Sequence, residues 1–400
     1  MRLTRQAGTA VAALALTFGA SPMALAQEVR VQVNDIKVVV PADVIRQLQR
    51  IVNTAISHEM RTEISTAMRE AVAEISSIGR EIGREIGREV SVEIQRGRGE
   101  RGDQDRRVEQ IDKQTTRIAL GPNGSLDLKN ISGDITLTAG NGREVTMEIT
   151  RRSRGRTDAD AKLGLEQVKV EVDHRGDRAT VETRYPDQQG RQRTQYSVSV
   201  TYNVTAPAGT RLNITSISGD VTATGLRGDL SVDVVSGDIQ ITNSTRVMNV
   251  KSLSGDTTIS DVDSDGNLNI GAVSGDLTLQ RVKVRRLAVN VISGDVVATD
   301  ISADGVELTS VSGSVAYSGP IARNGRYQLQ AHSGDVRISI GGNVGFDLRA
   351  ETFSGQIRAD SGIDIKTLTS SRRSLRGTVG DGSAVVVATT FSGNVIISRR

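Results

Sequence analysis

The sequence contains no cysteine and no tryptophan, and only five tyrosines, four phenylalanines, six prolines and three histidines in 400 residues. Without cysteine there are no disulfides, thiolate metal sites or cysteine nucleophiles, so stability has to come from burial and hydrogen bonding. Scarce aromatics argue against stacking clefts for sugars or single-stranded nucleic acid. The imidazoles are limited to His58, His174 and His332. No HExxH, GxSxG or phosphate-binding Gly-rich loop is present, and nothing points to an enzyme or to a bound cofactor. Charge of one sign is also lacking: the formal +3 includes Arg2 and Arg5, and without them about +1 remains. That near-balance gives little support for nucleic-acid binding, and no nucleic-acid partner is expected. Beyond the N-terminus no run reaches the ~20 apolar residues needed to cross a bilayer.

What is present begins with an export signal. Arg2 and Arg5 precede an apolar stretch from Ala7 to Gly19, Ser21 and Pro22 break it, and Ala24-Leu25-Ala26 precedes Gln27. These are the three regions of a signal peptide over 1–26, with cleavage between Ala26 and Gln27, and the stretch is too short for an anchor. The expected location is the periplasm or the cell surface. A short segment, 27–40, leads to residues 41–95, where Val44, Leu48, Ile51, Ile64, Met68, Val72, Ile75, Ile82, Ile86 and Val90 fall on one drifting stripe. The pattern predicts a long amphipathic helix of coiled-coil type. Gly79, Gly83 and Gly87 open three Gly-Arg-Glu-(Ile/Val) units and line one face, so a homo-oligomer formed through 41–95 is one expectation and a covering or tethering helix the other. The Gly-, Arg- and Asp-rich stretch 96–107 reads as a linker.

The rest is governed by an internal repeat. Ser-Gly-Asp or a close variant begins at Ser132, Ser218, Ser236, Ser254, Ser274, Ser293, Ser312, Ser333, Ser354 and Ser392. Spacings from Ser218 to Ser354 are 18 to 21 residues, and the last is 38, as though one coil kept its length and lost its triplet. Apolar residues alternate before each triplet, as in Leu230/Val232/Val234, Met248/Val250/Ser252 and Leu287/Val289/Val291. They alternate again after it, as in Ile239/Ile241 and Val336/Ile338. Period two on both sides of a fixed turn means two short strands per unit. A unit of about 19 residues buries its apolar face only by stacking on its neighbours. The expected fold is therefore mainly β, a parallel β-solenoid over 211–400. Residues 108–210 supply a first coil and an inserted β/α cap, with a short helix at Asp158–Gln167.

At each corner Gly133, Gly219, Gly237, Gly255, Gly275, Gly294, Gly313, Gly334, Gly355 and Gly393 are assigned as structural turns that need positive φ. The acids beside them have two readings. Asp220, Asp238, Asp256, Asp276 and Asp295, with Asp134 and Asp335, would form a carboxylate column able to hold calcium. Ser314, Gln356 and Asn394 in the same column favour a hydrogen-bonded turn instead. No other metal site is read from the sequence.

Leu126 to Asp134, the Arg-rich turn Arg151–Arg156, the segment Thr157–Val172, Tyr202 to Thr210, and Leu375 to Gly382 before Thr390-Phe391-Ser392-Gly393 resemble the bacterial adhesin-type family of β-strand-repeat exported proteins, the domain of unknown function 4097 type. The resemblance covers about Val108 to Arg400. It implies an exported solenoid and gives no ligand. The reading is a non-enzymatic envelope protein, adhesin-like, whose partner is an envelope or extracellular macromolecule. A self-assembling envelope scaffold and a carbohydrate-active β-helix enzyme are the alternatives.

Overall fold

The computed structural model describes residues 29–33, 36–40, 107–121, 123–186, 196–360 and 362–400. The signal segment 1–26, the predicted helix 41–95, most of the linker 96–107 and His58 lie outside the described residues. Near the N-terminus Val29–Val33 and Ile36–Val40 pair as an antiparallel hairpin. The described residues from Val108 onward belong to a separate unit, mainly β, with a single helix among them.

The repeat builds this unit. Each Ser-Gly-Asp corner joins one strand before it to one after it, and equivalent strands of successive coils pair in parallel. Ser218 is in register with Ser236, Ser236 with Ser254, Ser254 with Ser274, and so on through Ser333. Alternation decides the faces. Leu212, Leu230, Leu268, Leu287, Val306 and Tyr327 are buried at equivalent positions before the corner, and Val221, Ile239, Leu277, Val296, Val315 and Val336 after it. Full burial of such side chains contributes ~1.5–3 kcal/mol each, and only stacking supplies it. The class is therefore mainly β and solenoid-like.

The sheet is mixed rather than uniformly parallel. At the N-terminal end Tyr196–Pro207 lies parallel to Ile135–Gly140 but antiparallel to Val145–Gly155, which is in turn antiparallel to Val108–Ile118. On the other wall Arg178–Arg184 stacks in parallel on Ser125–Ser132 and turns back into Lys169–Arg175. The helix α1, Asp158–Gln167, lies over this end. Thr157 caps it with a reciprocal Thr157–Asp160 capping box, which satisfies two otherwise orphan donors. It docks through Ala161 and Gly164 and leaves Leu163 exposed, because a side chain at position 164 would overlap Ser153 and Tyr196. Arg151 donates to the carbonyls of Leu165 and Val168 at 3.1 and 3.0 Å, holding the helix C-terminus.

Two sequence readings are corrected here. The 38-residue gap contains no coil that lost its triplet. Residues 365–370 and 374–379 form antiparallel strands that close the far end against Phe346–Ser354. The chain then turns back, and its last coil inserts between two earlier ones: Ser392 is in register with Ser333 on one side and Ser354 on the other. The second correction is Met248, expected to point inward. Arg246 takes φ +55°, the register slips between Leu230 and Ser231, and Val247 becomes the buried residue while Met248 is exposed.

Candidate functional site

The repeated corner is the feature that distinguishes this surface. Its glycines have φ between +111° at Gly133 and +155° at Gly355, a region side chains avoid. Each corner glycine except Gly355, at the last rung, donates its N–H to the corner serine carbonyl of the next coil, as from Gly219 to Ser236 at 3.0 Å and from Gly334 to Ser392 at 2.9 Å. The residue after each glycine forms a second ladder. Asp134 Oδ1 accepts from the backbone N–H of Asp220 at 3.1 Å, Asp220 from Asp238 at 2.9 Å, and Asp238 from Asp256 at 2.8 Å. It continues from Asp256 to Asp276 at 2.9 Å, Asp276 to Asp295 at 2.8 Å and Asp295 to Ser314 at 2.7 Å. Ser314 Oγ then accepts from Asp335, Asp335 Oδ1 from Asn394, and Asn394 Oδ1 from Gln356.

That ladder explains the composition of the column. An acceptor is required at every coil with another beyond it, and Asp, Asn and Ser all provide one. Gln356 stands at the last rung, where no further coil asks for an acceptor. Exposed carboxylates ~4.8 Å apart repel by about 1 kcal/mol in water, whereas a hydrogen bond to a charged acceptor contributes ~1.5–3 kcal/mol. The ladder therefore outweighs the repulsion without a bound cation. No group of three or more His, Cys, Asp or Glu side chains able to hold a metal occurs among the described residues. The calcium column read from Asp220, Asp238, Asp256, Asp276 and Asp295 is brought together as a row, with one oxygen of each carboxylate already committed to backbone.

Inside the corner small polar side chains do related work. Ser310 donates to the Gly294 carbonyl at 3.0 Å, Thr390 to that of Gly334 at 2.8 Å and Thr352 to that of Gly393 at 2.9 Å. At the first coil buried Asn130 donates to the carbonyls of Gly133 and Val200, both at 2.8 Å, and accepts from Thr183. Thr183 also meets the Tyr202 hydroxyl at 2.6 Å. Burial pushes the Tyr202 phenol up to about 12 and raises Tyr317 and Tyr327 as well. The sequence reading missed this network, whose members are far apart in the chain. Its only local sign is a polar residue, Asn130, where an inward apolar one is due.

A second column runs along the opposite corner. Asn243, Asp261, Arg281 and Asp300 occupy equivalent positions with φ of +50° to +56°. Arg281 binds Asp261 through two nitrogens at 2.6 and 2.8 Å, and Asp300 pairs with Arg400. Hydrogen bonds from Arg281 and Arg400 hold the carboxyls of Asp261 and Asp300 below their ordinary range. Three outward ring residues of the C-terminal coils also stack: His332 on Phe391 at 4.9 Å and Phe391 on Phe353 at 4.7 Å. Partial burial lowers the His332 pKa. His174 lies apart, its Nε2 2.8 Å from the Gly176 carbonyl. Where the first corner meets the antiparallel end, Ser132, Asp134, Arg152, Ser199, Thr201 and Ser218 line an open polar hollow of about 400 Å³. Among the described residues no helix is long and apolar enough to cross a membrane.

These features define a class: a mainly β, solenoid-like stack whose repeated polar corners are spent on holding coils together. The chain belongs to the Toastrack DUF4097 family, whose model matches residues 123–398. No curated protein matches it. Among solved structures it is similar to a candidate lipid-binding protein from Parabacteroides distasonis, at 12% identity over 72% of this chain and 97% of that one, with a TM-score of 0.38. It is also similar to a candidate adhesin from Bacteroides fragilis, at 12% identity over 72% and 97% with a TM-score of 0.33. A candidate cell-adhesion protein from Clostridium sporogenes gives 9% identity over 73% and 100%, with a TM-score of 0.21. At these scores the likenesses carry no argument about what this chain binds.

Proposed function

We propose that the protein is an exported, non-enzymatic component of the cell envelope, adhesin-like, in which a parallel β-solenoid of Ser-Gly-Asp coils is a rigid surface for an envelope or extracellular macromolecule. The observation that carries this reading is the unbroken corner ladder from Asp134 to Gln356. It commits the most regular set of acidic side chains to stiffness rather than to proton transfer. Long arrays of coils held this way present fixed columns of side chains, which suits recognition of an extended partner. Antiparallel strands at both ends of the stack favour a discrete particle over a scaffold that grows end to end, since pairing edges are what such growth needs.

The test is protease treatment of intact cells beside fractionation, following cleavage within residues 80–107. Cleavage in intact cells places the protein on the outside and supports contact with external macromolecules. Cleavage only after the outer membrane is opened makes it periplasmic and ends the adhesin role. Recovery in the cytosolic fraction would overturn export altogether.

A further inference from the structure

The residue immediately before each corner serine points outward, and in every coil it is apolar or aromatic, His332 being the single imidazole. In spatial order the column runs Ile131, Ile217, Val235, Leu253, Val273, Ile292, Val311, His332, Phe391, Phe353. Outward positions elsewhere on the same strands are mostly polar. Leu253 is 43%, Ile292 52%, Val311 38% and Phe353 65% exposed. Nine steps at the ~4.8 Å inter-strand spacing make a ridge about 43 Å long. Single exposed apolar residues are ordinary, but a contiguous line of them marks a contact surface.

Its spacing selects the partner. An α-helix presents one turn per ~5.4 Å and falls a full residue out of step over the ridge. An extended strand along the same axis presents one face every ~6.6–6.8 Å and fits worse. Another copy of the same stack repeats at the same interval by construction. The flanks set the direction. On one side of the ridge runs the acidic row Asp220, Asp238, Asp256, Asp276, Asp295. On the other, the row three residues before each corner serine is mostly neutral, and its four charges, Lys129, Asp233, Lys251 and Glu351, cancel. A two-fold axis across the stack would set acidic row against acidic row. An axis along the stack sets each acidic row against its partner's other flank.

We propose that the ridge is the contact face of a homodimer in which two copies lie side by side and parallel, each ridge residue meeting its own counterpart across the two-fold axis. This contact is separate from the oligomer expected through residues 41–95, and it does not depend on the proposed envelope role.

Because the chain has no cysteine, single-cysteine variants of the full chain report the contact directly. Under mild oxidation Ile217→Cys and Phe353→Cys, near opposite ends of the ridge, should each give disulfide-linked dimers alone, while Thr278→Cys on the other wall should not. In sedimentation equilibrium, Leu253→Lys with Ile292→Lys should weaken self-association ~100-fold or more, with an unchanged circular dichroism spectrum showing that the stack remains folded. A wild-type chain that stays monomeric, or self-cross-linking of Ile217→Cys and Phe353→Cys that survives Leu253→Lys with Ile292→Lys, would overturn the proposal. Cross-linking of Ile217→Cys only with Phe391→Cys copies would overturn the parallel arrangement.

Discussion

Gly255 sits at φ +124°, and a Cβ placed on it would overlap the carbonyl oxygen of Gly237 in the coil beneath. The clash is with backbone, which has no rotamer to move. Gly255→Ala therefore combines positive-φ strain of ~1–3 kcal/mol with separation of two coils, and a loss of at least ~2 kcal/mol is expected in urea unfolding. Gly271 is the internal comparison: it lies in a strand with nothing within 4 Å of its would-be Cβ, so Gly271→Ala should be neutral or stabilising by up to ~1 kcal/mol. Similar losses at both positions would mean that stacking does not govern the corner. Tyr202 gives a second expectation at this scale. Its pKa is raised by burial to about 12, so folding favours the neutral phenol. The stability this contributes is fully present below the ordinary tyrosine value near 10 and is lost as pH climbs toward 12. Phenolate absorbance should therefore rise together with loss of β signal in that window. Tyr202→Phe should make the alkaline loss shallower while costing about 1 kcal/mol at neutral pH through its lost hydrogen bond.

At the scale of the coil, the acceptor ladder separates charge from hydrogen bonding. Asp256 accepts from Asp276 N–H at 2.9 Å. Asp256→Asn keeps an acceptor and removes one like charge from the row, so unfolding free energy should change by less than about 1 kcal/mol. Asp256→Ala removes the acceptor and should lose about 1 kcal/mol. If the row were instead a calcium site, losing the carboxylate in either variant would weaken the metal's hold and chelation would lower the midpoint of unfolding. The coil is also where the sequence was most legible. The corner period, the two flanking strands, and the mainly β class all follow from Ser-Gly-Asp spacing and alternation, because each is decided within about 19 residues. The Thr157-capped helix was legible for the same reason. Val247 replacing Met248 was not. Either residue fits an apolar position, and the choice depends on a backbone slip at Arg246 that alternation alone does not encode. Nor was the Asn130–Thr183–Tyr202 network legible, since its members are brought together by pairing across as many as 72 residues.

The whole unit departs from a simple solenoid in the order of its coils, and that order has a consequence for folding. In a one-dimensional stack each repeat rests on the one before it, and removing the last repeat leaves the others in place. Here the strands Ala384–Ser392 and Val395–Arg399 lie between the coil of Arg326–Gly341 and the strands Phe346–Ser354 and Ile357–Ala359. The penultimate coil in the chain therefore has no parallel partner until the last one arrives. A 38-residue gap between Ser354 and Ser392 records the length of that return but not its destination, since no local pattern distinguishes an added coil from an inserted one. Long-range pairing of this kind has to close a loop before it is rewarded. A chain ending at residue 383 is thus expected to lose more than its missing strands. In hydrogen exchange the amides of 346–359 and 374–379 should become unprotected, while those of 211–318 keep their slow exchange. A chain whose coils simply followed one another would keep 346–359 protected on the face of 326–341, and that result would show that the inserted coil is not what holds the end of the stack.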